Sequence, residues 1–134
     1  MNILQLRQTI NALVSNLIGA YILPNNTQQP AFYVEGKYGV PKNWKVTGLE
    51  VVIRQFPEIS SRPMVGTVRK AKLWEVMLSQ YAPASENLEE AIDRIVRHFP
   101  DATVRNFPSS DREYQYARIV IPDVDIVFQY QHAV

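Results

Sequence analysis

The sequence predicts an α+β fold: an antiparallel sheet with two main helices packed on it, in the order α-β-β-β-α-β-β-β. Three observations carry that prediction. Two stretches place apolar residues at helical spacing, one near the start and one after a strand-rich middle. Strand-like stretches follow one another in series rather than alternating with helices, which favours an antiparallel sheet. Prolines fall at the joints, at Pro24, Pro57, Pro83 and Pro100, where they stop the element before them.

The first helix is set by Ile3, Leu6, Ile10, Leu13 and Leu17, one face of a 3.6-residue period, widened by Val14 and Ile18. Gly19 marks its end, and Pro24 forbids further continuation. The segment from Asn25 to Pro30 is a polar turn. Ala31 to Glu35 is aromatic and β-branched and reads as a short strand. A loop with Gly36, Gly39 and Pro41 follows. From Trp44 to Phe56 a half-buried strand alternates Leu49, Val51 and Ile53 with Glu50, Val52 and Arg54. Pro57 to Met64 is a turn or a longer hairpin arm. Val65 to Tyr81 is a long strand in which Trp74, Val76 and Leu78 face one way and Glu75, Met77 and Ser79 the other. These two long strands, so closely joined, form an antiparallel pair.

The second helix starts after Pro83, with Ser85 or Asn87 as its N-cap, and buries Leu88, Ile92, Ile95, Val96 and Phe99. Its acids Glu86, Glu89, Glu90 and Asp93 come first and Arg94, Arg97 and His98 last, the order that suits a helix dipole. Thr103 to Arg105 is a short strand and Phe107 to Asp111 a turn. Glu113 to Ile121 and Val124 to Tyr130 read as two closing strands separated at Pro122-Asp123.

A chain of 134 residues with 46% hydrophobic and 20% charged residues has the size and balance of one packed domain. It has no cysteine, which excludes a disulfide framework and a thiolate zinc site. The N-terminal apolar residues are interrupted by Gln5, Arg7, Gln8, Thr9 and Asn11, so the stretch reads as a helix of the mature protein and not a signal peptide. No run of about 18 apolar residues suggests a membrane span. The net charge of +1 is unevenly spread: residues 37–72 carry a net +6 and residues 73–134 a net −5. That asymmetry has two readings. Lysines on strand edges and loops discourage edge-to-edge pairing; a bipolar molecule can also dock head to tail with its own copies.

Residue patterns for chemistry are sparse. His98 ends a helix, where a cation or donor is favourable, and His132 lies near the end of the chain. Asp123 and Asp125 share a strand face, as a weak oxygen-ligand pair would, but a turn leading into a solvated strand face explains them better. The acids of the second helix belong to its first turns. Ser60-Ser61 and Ser109-Ser110 lack a nucleophile-elbow context, and Gly36, Gly39, Gly48 and Gly66 make no phosphate loop. The expectation is therefore a protein that is not an enzyme and holds no cofactor or metal. Arg69, Lys70 and Lys72 are the most suggestive charges, since R-K-x-K beside Trp74 could touch phosphates. Stacking on bases would also need exposed rings, for which Tyr114, Tyr116 and Trp74 are the candidates.

The pattern as a whole resembles the tail terminator, or tail completion, proteins of long-tailed bacteriophages. The segments that carry the resemblance are ILQLRQTINALVSNL, then QQPAFYVEG, then KLWEVMLSQYAP running into NLEEAIDRIVRHF, and the closing REYQYARIVI and VDIVFQY. It spans nearly the whole chain, so residues 1–134 are expected to form a single tail-terminator-like domain. The resemblance implies a virion structural protein. Such proteins form a ring, commonly of about six copies, that terminates the tail tube at its head-proximal end and joins it to the neck. The implied partners are further copies of the chain, the tail tube protein, a neck or connector protein and, in a contractile tail, the sheath protein. DNA would pass nearby without specific recognition, no membrane is involved, and the location would be the tail or neck of the virion, assembled in the host cytoplasm. Arg69, Lys70 and Lys72 would then face the lumen or a partner. The loop from Gly36 to Trp44 and the segment from Phe56 to Val65 are longer than the compact pattern needs and suit partner-docking arms. The alternatives are another phage neck or head–tail adaptor protein and, from a different class, a cellular α+β module that binds nucleic acid or a small ligand through its sheet.

Overall fold

A computed structural model of the chain describes residues 2–36, 39–55, 59–61, 67–81, 87–107 and 115–128. The fold is α+β, as expected. Helix α1 (Ile3–Val14) opens on a capping box: the Asn2 side chain accepts from the Gln5 N–H at 2.8 Å, and the Gln5 side chain accepts from the Asn2 N–H at 2.9 Å. Leu6, Ile10 and Val14 are fully buried. The helix stops at Val14, and the apolar stripe continues through a turn, where Leu17 and Ile18 still pack on the core.

Strands β1 (Ala20–Ile22) and β2 (Gln28–Pro30) form a hairpin, and β1 also pairs with β4 (Lys45–Thr47), giving a small three-stranded sheet. Its turn places Asn26 at φ 63, a conformation asparagine tolerates, and the Thr27 N–H donates to Asn25 Oδ1 at 3.1 Å. In this sheet only β4 falls within an expected strand, the run from Trp44 to Phe56; β1 and β2 have no counterpart in the sequence reading. Its strands have three residues each, too few for a period-2 pattern to register.

The main sheet contains β3 (Phe32–Val34), β5 (Leu49–Gln55), β7 (Thr67–Gln80), β9 (Gln115–Phe128) and β8 (Thr103–Phe107), in that spatial order. Strand β6 (Ile59–Ser61) pairs with β7 on the side that β5 occupies further along. Among the described residues the strand pairs are antiparallel except β3–β5, which is parallel. The reason is the route: after β3 the chain crosses into the small sheet as β4 and only then returns as β5, and a crossover of this kind permits a parallel partner. The switch between sheets happens at Gly48, which adopts φ +73 and lies against Gly19. A Cβ on Gly19 would collide with the Thr47 carbonyl oxygen, so the two sheets meet through bare backbone. The sequence reading ran one strand from Trp44 to Phe56; the structure breaks it at this glycine.

Helix α2 (Asn87–His98) buries Leu88, Ala91 and Ile95. Asn87, a candidate N-cap from sequence, is instead the first helical residue, and its Nδ2 donates to the Leu17 carbonyl at 3.1 Å. Arg94 Nη1 donates to the Leu13 carbonyl at 3.0 Å and to Asn16 Oδ1 at 2.8 Å, so α2 is fastened to the end of α1. Ser85 lies outside the described residues.

The two expected closing strands are one: β9 runs unbroken through Pro122. Its pairing with β8 stops at Val120, which leaves that edge of β9 open where Pro122 lacks an N–H. Both β7 and β9 outrun their neighbours. Pairing of β5 with β7 ends at Gln55↔Trp74, and from there the sheet narrows to a ribbon of β6, β7 and β9. Thr67 to Leu73 thus projects beyond β5 by about 20–25 Å at strand rise. No helix among the described residues is long and apolar enough to cross a membrane.

Candidate functional site

Alternation along the central strands gives the sheet two chemically distinct faces. Leu49, Val51 and Ile53, then Trp74, Val76 and Leu78, then Ala117, Ile119 and Ile121 form one face, all buried in the same cluster as the apolar stripes of both helices. In register on the opposite face lie Glu50, Val52 and Arg54, then Glu75, Met77 and Ser79, then Tyr116, Arg118 and Val120. The charged and polar residues of these three strands thus lie on that second face.

Two ionic arrangements occupy the second face. At one end the Tyr21 hydroxyl donates to Glu50 Oε2 at 2.7 Å, beneath the small sheet. Burial raises the Glu50 carboxyl above the usual carboxylate range, and the hydrogen bond from Tyr21 offsets only part of that rise. The Tyr21 phenol is pushed far up, first by burial and then by the neighbouring carboxyl. Tyr21 also packs at 5.4 Å between ring centroids against Trp44, which meets Tyr33 edge-on. In the middle of the face Glu75, 1% exposed, receives Arg54 Nη2 at 3.0 Å on each oxygen and Arg118 Nη2 at 2.7 Å. The hydrogen bond to Glu75 is the main cause that holds the Arg54 guanidinium above its ordinary range. Both arginines reach in from neighbouring strands and keep a third or more of their side-chain surface in solvent.

Arg69, Lys70 and Lys72 fall on the projecting part of β7. The backbone register sets Lys70 opposite Asp125 and Lys72 opposite Asp123, with Arg69 opposite Ile126. Arg54 of the same basic segment is committed to Glu75. Among the described residues no three histidine or acidic side chains come together as metal ligands would. Of the rings considered for base stacking, Trp74 is buried, Tyr116 is half-buried and Tyr114 lies outside the described residues.

On α2, Glu90 pairs with Arg94 at 2.9 Å and Asp93 with Arg97 at 3.1 Å, ordinary one-turn helical ion pairs. His98 is the last helical residue and its ring meets Phe99 edge-on at 4.8 Å. His132 and Ser109-Ser110 lie outside the described residues. The buried Arg54–Glu75–Arg118 group escaped the sequence reading. Its only trace is a glutamate inside the apolar run LWEVML, and nothing local says which strands will flank it.

Compared with known proteins, the chain matches no family model and no curated protein.

Proposed function

We propose that this protein is a phage virion structural protein, a non-enzymatic tail terminator whose copies close into a ring at the head-proximal end of the tail tube and join it to the neck. The observation that carries the reading is the ribbon of β6, β7 and β9, which extends the sheet well past β5 and offers backbone and charge to a neighbour. A ring wall needs a rigid body with large contacts on two sides. The α1–α2 layer on the sheet supplies the body, and the ribbon supplies an arm. In this reading Arg69, Lys70 and Lys72 lie toward the lumen or toward the next subunit, the neighbours are the tube, the neck and, in a contractile tail, the sheath, and the location is the virion. Adding the purified protein to polymerising tube subunits of its virus tests the idea: tubes should stop elongating, and a length distribution unchanged in electron micrographs would refute termination.

The second reading, a cellular module that binds through its sheet, draws on the partly open second face with Arg105 and Arg118. A monomeric protein that retains salt-sensitive nucleic-acid binding would favour it.

A further inference from the structure

Strand β3 ends the main sheet on one side, and its outer edge has no partner strand among the described residues. The Ala31 carbonyl accepts from the Val51 N–H and the Glu35 N–H donates to the Ile53 carbonyl, both at 2.8 Å, so these residues turn their backbone toward β5. Alternation then turns the N–H and carbonyl of Phe32 and of Val34 outward, away from β5. Pro30, just upstream, has no N–H to offer, which confines pairing on this edge to the short stretch after it. Beside that edge, between α1 and the β2–β3 junction, lies an open groove of about 480 Å³. Leu4, Pro30 and Phe32 give it apolar walls, and Arg7, Gln8 and Gln29 are among its polar ones. Leu4, at 57% exposure, is the most exposed large hydrophobic side chain among the described residues. Arg7 is exposed, and among the described residues its side chain makes no hydrogen bond or ion pair. No described residue of the lining is acidic.

We propose that this groove and the β3 edge together take an extended, acidic segment of a partner protein, which adds to the sheet as a strand beside β3 and sets a carboxylate on Arg7. A peptide strand repeats its N–H and carbonyl groups at the spacing that Phe32 and Val34 present, which a nucleic acid does not. Successive side chains of such a strand alternate faces. Phe32 packs on the core from the face that carries α1, so every second side chain of the added strand enters the groove. An apolar side chain there covers Leu4. An acidic one two positions along meets the Arg7 guanidinium, whose planar fork of donors matches a carboxylate. Charge selects the partner, because the groove holds a cation without a counter-ion of its own. The proposal does not rest on ring formation.

Selection of a displayed library of random octapeptides on the full chain tests the proposal. Enriched peptides are expected to carry aspartate or glutamate two positions from an apolar residue. Synthetic copies of them should give saturable shifts at the Phe32 and Val34 amides of the ¹⁵N-labelled chain, and N-methylation of alternate peptide bonds should abolish binding. R7E should melt like the parent, because Arg7 makes no side-chain contact to lose, and should bind these peptides about tenfold more weakly, since an exposed attraction becomes a repulsion. Replacing the peptide's acid by its amide should also weaken binding, with the protein untouched. The same library selected on R7E should return lysine or arginine at the acidic position. No enrichment, enriched peptides without an acid, shifts that leave Phe32 and Val34 unmoved, or R7E that binds like the parent would each overturn the assignment. Saturable shifts at the same amides with an oligothymidylate, or on raising the protein concentration alone, would overturn it in favour of a nucleic acid or a second copy of the chain.

Discussion

The body of the main sheet and the ribbon that extends it are made from the same two strands, yet different forces shape them. In the body, β5, β7 and β9 are sandwiched between the two helices on one face and partly covered by the small sheet on the other. Apolar burial dominates there, and the charges that enter, Glu50 and Glu75, are admitted only with hydrogen-bonding partners. In the ribbon, β7 and β9 keep perfect register while their sequence turns from LWEVML to TVRKAK, with lysines set opposite aspartates. One pair of strands is thus a core at one end and a charged arm at the other. Buried packing lies in the body, and the ring contacts proposed above are assigned to the arm.

The largest effect is expected from emptying the body. Trp74→Ala removes the largest fully buried side chain and is expected to cost about 3–5 kcal/mol in denaturant unfolding. A loss under about 1 kcal/mol would mean that the sheet and helices are not packed as described.

Next in size is the buried carboxylate. Glu75→Gln leaves Arg54 and Arg118 without their shared counter-charge. Because both guanidiniums are partly solvated, water relieves some of the penalty, and we expect a loss of about 2–3 kcal/mol by urea melts.

Glu50 gives a pH signature. Its folded carboxyl titrates above its unfolded value, so the folded state binds the proton more tightly than the unfolded chain. The stability this contributes is fully present below the unfolded value near 4.5 and is lost as pH rises through the raised folded value. Glu50→Gln should abolish that fall: the difference in stability between variant and parent should shift in the variant's favour across this window. Parallel pH profiles of the urea midpoint would show that Glu50 is not desolvated.

The smallest effect on folding is expected in the arm. Lys72→Glu places like charges opposite Asp123 and should cost only about 0.2–1 kcal/mol in the isolated chain. Its effect on self-association should be far larger than that. A variant that unfolds the protein outright would contradict the division between body and arm.

Much of the body was legible in the sequence. The 3-4-3-4 spacing from Ile3 to Leu17 and the alternation around Trp74 are periodic signals, and both helices and the core face of β7 followed from them. What escaped depends on three-dimensional neighbours. The switch at Gly48 is invisible because one strand pattern runs straight across it, and its cause is the close approach of Gly19, 29 positions earlier. Pro122 looked like a break because local chemistry forbids its N–H, whereas the end of β8 pairing at Val120 removes the need for one. The Arg54–Glu75–Arg118 group likewise required the strand order, which no single segment encodes.

The most direct test of the ring reading is the native mass of the purified full chain across a concentration series, with the same samples imaged by negative stain. A closed ring of about six copies is expected, disrupted by charge reversal at Arg69, Lys70 and Lys72. A monomer at every concentration, with or without the tube protein, would contradict it.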